Sequence, residues 1–173
     1  LYGLEDIGIN KSISAKKKLL KTNPNCNINA YSENITDTNI NFLKDADIII
    51  DTCDDWHTTK LINKFCVQNS LKYIFSSAIN NNIEICLFEN KDNHTCLNCV
   101  FPNKDDAEIP RCETSGISSI CAGIAGLITA QKAVNTILET QDENNILTLI
   151  NIENLSINNI NIKNNANCVV KNS

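Results

Sequence analysis

An abrupt change from apolar to acidic residues in the first half of the chain most constrains its fold. The run Ile48-Ile49-Ile50 leads directly into Asp51-Thr52-Cys53-Asp54-Asp55. A short apolar run of this kind predicts a buried strand over residues 47–51, as in a parallel sheet covered by helices. A helix predicted over 58–70 then places four apolar residues on one stripe: Leu61, Ile62, Phe65 and Cys66.

The rest of the first half also alternates between predicted helices and strands. A helix over 11–22 ends at Asn23-Pro24, and residues 25–32 alternate in polarity as a strand does. A short helix over 37–43 and a strand over 73–76 complete the pattern. This alternation predicts an α/β fold with parallel strands in a Rossmann-like sheet.

The second half has a different pattern. A strand is predicted over 83–88, followed by a cysteine-bearing loop and a long apolar helix over 117–138, in which Gly123 and Gly126 permit close packing. An antiparallel pair, 147–152 and 155–162, turns at Glu153-Asn154. We therefore expect one domain over residues 1–162, with an antiparallel C-terminal portion, and a polar tail over 163–173.

The net charge and the cysteine content indicate which partners and which cellular compartment to expect. The net charge is −5, and the only cluster of positive charge is Lys16-Lys17-Lys18, so a nucleic-acid partner is not expected. No apolar run in the sequence approaches the length of a membrane span, so we expect no membrane partner either. Nine cysteines at irregular spacings favour reduced thiols in the cytoplasm or an organelle matrix.

Two groups of residues could bind ligands. The carboxylates after the strand lie where doubly wound sheets bind ligands, and one of them could hold Mg²⁺ with nucleotide phosphates. Alternatively, Asp54 or Asp55 caps the following helix. Cys96 and Cys99 have the spacing of half a structural zinc site, or they are ordinary reduced cysteines.

An ordered series of segments over roughly residues 1 to 170 resembles the ThiF/MoeB/HesA family, relatives of ubiquitin-activating enzymes. The segment ADIIIDTCDDWHTTKLIN resembles a family stretch that includes the "T-D-N" aspartate and ends in Ile-Asn. The other matching segments, in chain order, are DIGINK, LKTNP, CLNCVFP, RCETSGI and GIAG.

The resemblance implies an ATP-dependent adenylyltransferase. Such enzymes adenylylate the C-terminal Gly-Gly carboxylate of a ubiquitin-like sulfur-carrier protein for thiamine or molybdopterin synthesis. At the family positions, Lys11 would contact phosphate and Asp54 would bind Mg²⁺, while Asp51 supports the loop. Cys112 matches a cysteine that some members use as a sulfur-accepting nucleophile. A homodimer is expected from the family.

The family's zinc site is only partly present. Cys168 matches the first cysteine of the C-terminal pair that completes the site with Cys96 and Cys99, but Lys171 stands in the place of the second. The fourth ligand could be His94 or water, or the site could be lost.

Other departures leave alternatives open. The family's glycine-rich nucleotide loop and phosphate-binding arginine are not in this sequence, so the resemblance implies a chain that lacks its N-terminal nucleotide-binding half and is inactive alone. Asp55 replaces the usual Asn, Thr59 replaces a common carrier-binding arginine, and Trp56 and His57 replace smaller residues. A non-catalytic scaffold or dimerisation partner, and a nicotinamide-dependent dehydrogenase, are the competing interpretations.

Overall fold

A computed structural model describes residues 1–90, 95–102, 118–140, 144–166 and 168–170. The chain forms two compact units, Leu1–Ile35 and Thr36–Ser173. The predicted domain over 1–162 and its tail stay a prediction. In both units local capping signals and sheet pairing decide where elements begin and end.

The first unit contains one helix, α1 (Lys11–Thr22), with the predicted bounds. It begins where the Asn10 side chain accepts a hydrogen bond from the Ser12 N–H, at 3.0 Å. A short 3₁₀ turn, Leu4–Asp6, precedes it. Asp6 accepts hydrogen bonds from the Gly3 N–H, the Lys18 ammonium and the Ser14 hydroxyl, and these hold the pKa of its carboxyl well below the usual range.

The strand predicted over residues 25–32 is wrong. This segment runs as turns and irregular backbone, and no described residue pairs with it as a strand. An alternating pattern is not sufficient, because a strand exists only where a neighbour supplies the ladder of hydrogen bonds. Here Ser12 instead donates its hydroxyl to the Tyr31 carbonyl.

The second unit is built on a five-stranded sheet in the order β1-β2-β3-β4-β5. Among the described strands β1 and β2 pair in parallel, and the remaining pairs are antiparallel. The fold is therefore α/β with one parallel pair and an antiparallel C-terminal portion. The strands are β1 (Ile48–Asp51), β2 (Lys72–Ile79), β3 (Asn82–Phe88), β4 (Ile146–Asn151) and β5 (Ser156–Asn161).

Three helices are described in the second unit. They are α2 (Trp56–Gln68), α3 (Leu97–Val100) and α4 (Ser119–Leu138). The short helix predicted over 37–43 is a 3₁₀ turn at Ile40–Leu43. The hairpin predicted near Glu153-Asn154 is confirmed, since β4 and β5 pair antiparallel on either side of it.

The two faces of the sheet carry different helices. α4 covers the face on which Ile74, Ile83, Ile85, Leu87 and Ile150 form a buried cluster with its own Cys121, Ala125 and Ala133. α2 contacts the opposite face, because Trp56 meets Phe75, which follows Ile74 along β2 and so points the other way. The loop between β1 and α2 is thereby fixed at the carboxyl end of a strand.

Three expectations about these elements need correction. β1 is not buried on both faces, because Ile50 is 45% exposed. Gly123 and Gly126 make no close contact: a Cβ added at either would meet no atom within 4 Å among the described residues. The helix α4 is, by length and composition alone, long and apolar enough to cross a membrane. That test is weak evidence, because the core helix of a soluble protein passes it as well.

Candidate functional site

The turn between β1 and α2, residues 51–55, is organised by the buried carboxylate of Asp51. Asp51 is 2% exposed. One of its oxygens accepts the Cys53 N–H at 2.9 Å and the other accepts the Tyr73 hydroxyl at 2.8 Å. Burial and the neighbouring carboxylate raise the pKa of Tyr73 well above its ordinary value. The hydroxyl therefore stays protonated and donates a hydrogen bond to Asp51. Asp51 therefore shapes the turn, as the sequence indicated.

Asp55 is the residue that caps α2. Its carboxylate accepts hydrogen bonds from both the hydroxyl and the N–H of Thr58, the latter at 2.9 Å. These bonds, hydroxyl first, lower the pKa of the Asp55 carboxyl. Asp55, and not Asp54, is therefore the residue that caps α2.

Asp54 is exposed and makes no hydrogen bond or ion pair with any described part of the chain. It lies between two fixed neighbours, since Asp51 holds the N–H of Cys53 and Asp55 is bound to the helix. The backbone position of Asp54 is thus fixed on both sides, and its carboxylate is open to solvent. This combination suits a group that binds a cation together with a dissociable ligand.

The side chains beside Asp54 differ in their burial and in their contacts. Burial and the surrounding carboxylates raise the pKa of the Cys53 thiol, which makes it a poor nucleophile. Trp56 is buried and packs edge-on against Phe75 and Phe101, as expected. His57 is exposed on the helix surface. Thr59, at the position of the family's arginine, is 1% exposed and faces the interior.

The thiols of Cys96, Cys99 and Cys168 come together although 72 residues separate the first from the last. The sulfur of Cys96 lies 3.8 Å from that of Cys99 and 3.5 Å from that of Cys168. All three sulfurs lie within 4.8 Å of one another. Cys96 and Cys168 are buried, whereas Cys99 is partly exposed.

This geometry fits a zinc site. Zn–S bonds of about 2.3 Å in a tetrahedron require sulfurs about 3.8 Å apart. The cluster also has donors for thiolates: the Asn98 amide points to Cys168, at 3.9 Å, and the backbone N–H of Asn165 donates to Cys99. The hydrogen bond with Cys96 lowers the pKa of Cys99, whereas that bond and burial raise the pKa of Cys96. Three thiol sulfurs are thus available as ligands within the described ranges, and each would bind zinc as the thiolate.

Two residues near the cluster carry no sequence prediction. Asn63, on α2, is buried and its side-chain oxygen accepts the Leu97 N–H at 3.0 Å. Asn98 lies between the two cysteines of the Cys-x-x-Cys segment. A buried position for Asn63 could have been suspected from the apolar residues on the same helical stripe, but its partner is 34 residues away.

The remaining predicted residues are placed only in part. Lys11 is exposed at the first position of α1, in the first unit, while Asp54 belongs to the second. Their joint action on one nucleotide stays a prediction. Cys112, His94 and Lys171 lie outside the described residues, so the roles considered for them also stay predictions.

The sequence profile of the ThiF family matches residues 1–170. A probable molybdopterin-synthase adenylyltransferase of Pyropia yezoensis is 28% identical over 141 residues, which cover 80% of this chain and 37% of that protein. A sulfur carrier protein adenylyltransferase of Thermus thermophilus is 24% identical, with 80% and 53% covered. The chain thus spans between a third and about half of these relatives.

Solved structures share the fold. E. coli MccB with MccA superposes with a TM-score of 0.82 at 20% identity, over 99% of this chain and 53% of that one. MccB with ATP gives a TM-score of 0.81 at 20% identity, over 98% and 53%. The solved structures thus show the fold, and the family profile matches nearly the whole sequence. The chain belongs to the ThiF family.

Proposed function

We propose that the full-length protein containing this chain is an adenylyltransferase that activates the C-terminal Gly-Gly carboxylate of a ubiquitin-like sulfur carrier. Family membership and the names of the relatives support the reaction class. The single observation that carries the proposal is the state of Asp54, an exposed carboxylate fixed between Asp51 and Asp55 at the end of a parallel strand. Ligands of layered α/β sheets bind at this end.

The chemistry requires a cation at such a carboxylate. The carrier's carboxylate oxygen attacks the α-phosphorus of ATP, a new P–O bond forms, and the bond to pyrophosphate breaks. Both reactants are anionic, so their approach and the charge on the leaving pyrophosphate need compensation. Mg²⁺ bound at Asp54 would supply that compensation, and the family resemblance makes Lys11 the proposed phosphate contact. Asp51 and Tyr73 keep the turn, and hence Asp54, in place.

The three thiols have a separate role in this proposal. Cys96, Cys99 and Cys168 hold a structural zinc ion, which ties residues near the C-terminus to α3. The distances between the sulfurs and the N–H donors around them support this assignment. A metal bound only by the folded chain stabilises the fold by its binding free energy.

Further parts of the proposal rest on the family resemblance. Cys112 is the nucleophile that attacks the acyl-adenylate: a new S–C bond links it to the carrier, the bond to AMP breaks and AMP leaves. The product enters thiamine or molybdopterin synthesis. The protein acts as a homodimer. The likeness to MccB structures that contain MccA makes a peptide substrate a second possibility.

The proposed reaction is tested by ATP–pyrophosphate exchange. Full-length protein, radiolabelled pyrophosphate, Mg²⁺ and a Gly-Gly-tailed carrier should give label in ATP, and a carrier with its last glycine removed should not. Exchange absent with every carrier and peptide would favour the competing function, a non-catalytic ThiF-like scaffold or dimerisation partner. The buried Thr59 at the arginine position is the observation that keeps that alternative in view.

A further inference from the structure

The link between α2 and the cysteine cluster is a buried hydrogen bond. Asn63 and Leu97 are each 2% exposed, and the Asn63 side-chain oxygen accepts the Leu97 N–H at 3.0 Å. Leu97 is the first residue of α3 and follows Cys96 directly. The acceptor therefore lies on α2, while the donor lies between Cys96 and Cys99, two of the three cysteines of the cluster.

This bond satisfies a buried helix N–H that has no acceptor within the helix. The first N–H groups of a helix have no partner within the helix and normally bind a side chain at the N-cap position. Cys96 occupies the N-cap of α3, and its side chain makes no capping hydrogen bond. The Leu97 N–H, at the first position of the helix, instead binds the side-chain oxygen of Asn63, 34 residues earlier in the chain.

The capped turn determines the distance between two of the sulfurs. Within it the Cys99 N–H donates to the Cys96 carbonyl at 2.9 Å, and the Phe101 N–H donates to the Leu97 carbonyl at 3.0 Å. These bonds close the turn that holds the Cys96 and Cys99 sulfurs 3.8 Å apart. Without the Asn63 acceptor, a buried N–H at the start of this turn would be unsatisfied, at a cost that favours opening it.

We propose that Asn63 is a positioning residue for the metal site: it caps α3 from α2 and so holds Cys96 and Cys99 in the geometry that zinc requires. The inference rests on the metal site proposed above and extends it to a residue that binds no metal. Outer partners of metal ligands typically contribute about 10- to 100-fold to affinity. Asn63→Leu should weaken zinc binding by about that factor.

The test is a comparison of zinc affinities in the full-length protein by competition with a chromophoric chelator. Asn63→Leu keeps the number and branching of the side-chain heavy atoms and removes the acceptor, whereas Asn63→Ala removes both. Asn69→Leu is the matched control, because Asn69, at the end of the same helix, donates to the Phe65 carbonyl, at 2.8 Å, and not to the cluster. We expect both Asn63 variants to lose affinity and Asn69→Leu to bind zinc as the native protein does.

Cobalt substitution separates positioning from loss of ligands. At saturation, Asn63→Leu should show the native thiolate-to-cobalt charge-transfer intensity per bound ion, because all three thiols still bind, and only the concentration needed should rise. Affinity of Asn63→Leu within twofold of native would overturn the inference. If the native protein itself binds no zinc or cobalt, the metal site fails and the inference with it, whereas the exchange assay is unaffected.

If Asn63→Leu does not fold, amide hydrogen exchange in the native protein decides. The Leu97 N–H should exchange slowly both with zinc and in chelator, because Asn63 accepts it in either state. Exchange of Leu97 as fast as that of exposed amides would overturn the proposal without any variant.

Discussion

The acidic turn, residues 51–55, and the cluster of Cys96, Cys99 and Cys168 present their candidate ligand groups in opposite ways. Both lie at the ends of elements in the second unit, and both are fixed by buried side chains. The turn presents an exposed carboxylate, Asp54, whereas two sulfurs of the cluster belong to residues that are at most 1% exposed. A ligand exchanged in each reaction cycle needs an open group, and a structural ion needs one closed to water.

In both regions the supporting residue differs from the residue that meets the ligand. Asp51 and Tyr73 hold the turn, and Asn63 holds the Cys-x-x-Cys segment. Substitutions of the supports and of the ligand groups should therefore have separable effects. The following changes test that separation, from the largest expected effect to the smallest.

Loss of a thiol should have the largest effect. Cys168→Ser removes a buried ligand, so zinc affinity should fall by more than about 100-fold, beyond the usual effect of an outer partner. Competition with a chelator measures it. Cys26→Ser is the control, because Cys26 is exposed in the first unit. Equal affinities in the two variants would show that Cys168 is not a ligand.

Removing the hydroxyl that supports Asp51 should destabilise the second unit. Tyr73→Phe leaves a buried carboxylate without one of its donors, which should lower the free energy of unfolding by about 1.5–3 kcal/mol. Urea denaturation measures the change. In Tyr2→Phe the lost bond, to the Lys11 carbonyl at 3.2 Å, is exposed, and the change should be small. A silent Tyr73→Phe would contradict the role given to Asp51.

Removing the cap of α2 should have a smaller effect. Asp55→Ala deprives the Thr58 N–H of its acceptor and should lower the free energy of unfolding by about 1 kcal/mol. Asp55→Asn should leave stability nearly unchanged, because Asn caps helices as well as Asp does. Thermal unfolding of the two variants measures the difference. Equal losses in both would mean that charge, and not capping, is what Asp55 supplies.

Acid should weaken this cap by the smallest amount. The pKa of Asp55 is lowered in the folded state, so its contribution is complete above the unfolded pKa of about 3.9 and is lost as the pH falls through the folded value. Stability measured against pH should therefore decline more in native protein than in Asp55→Asn below about pH 4. Parallel curves down to the acid limit would contradict the lowered pKa.

Local signals in the sequence predicted much of the fold. The bounds of α1 follow from Asn10 and Asn23-Pro24, and the hairpin of β4 and β5 follows from alternation on either side of a polar turn. The strand over 25–32 failed because pairing depends on a neighbour, which no local pattern contains. The bounds of α1 and the hairpin were thus predicted from local signals, whereas the strand over 25–32 failed for want of a paired neighbour.

The candidate site shows the same division. The residue patterns located the carboxylates and the Cys-x-x-Cys pair, and the family resemblance placed Cys168 with Cys96. They could not separate Asp54 from Asp55, because the choice of cap depends on which carboxylate faces the Thr58 N–H. Nor did they give Asn63 a role, since this residue caps a helix that begins 34 residues later.

The central claim is that Asp54 binds the metal–nucleotide while its neighbour Asp55 only caps. The most direct test compares Asp54→Asn with Asp55→Asn in Mg²⁺-dependent ATP–pyrophosphate exchange by the full-length protein. Asp54→Asn should lose about 100-fold or more in exchange rate with unchanged thermal unfolding, and Asp55→Asn should retain native activity. Native exchange in Asp54→Asn, or equal losses in both variants, would contradict the claim.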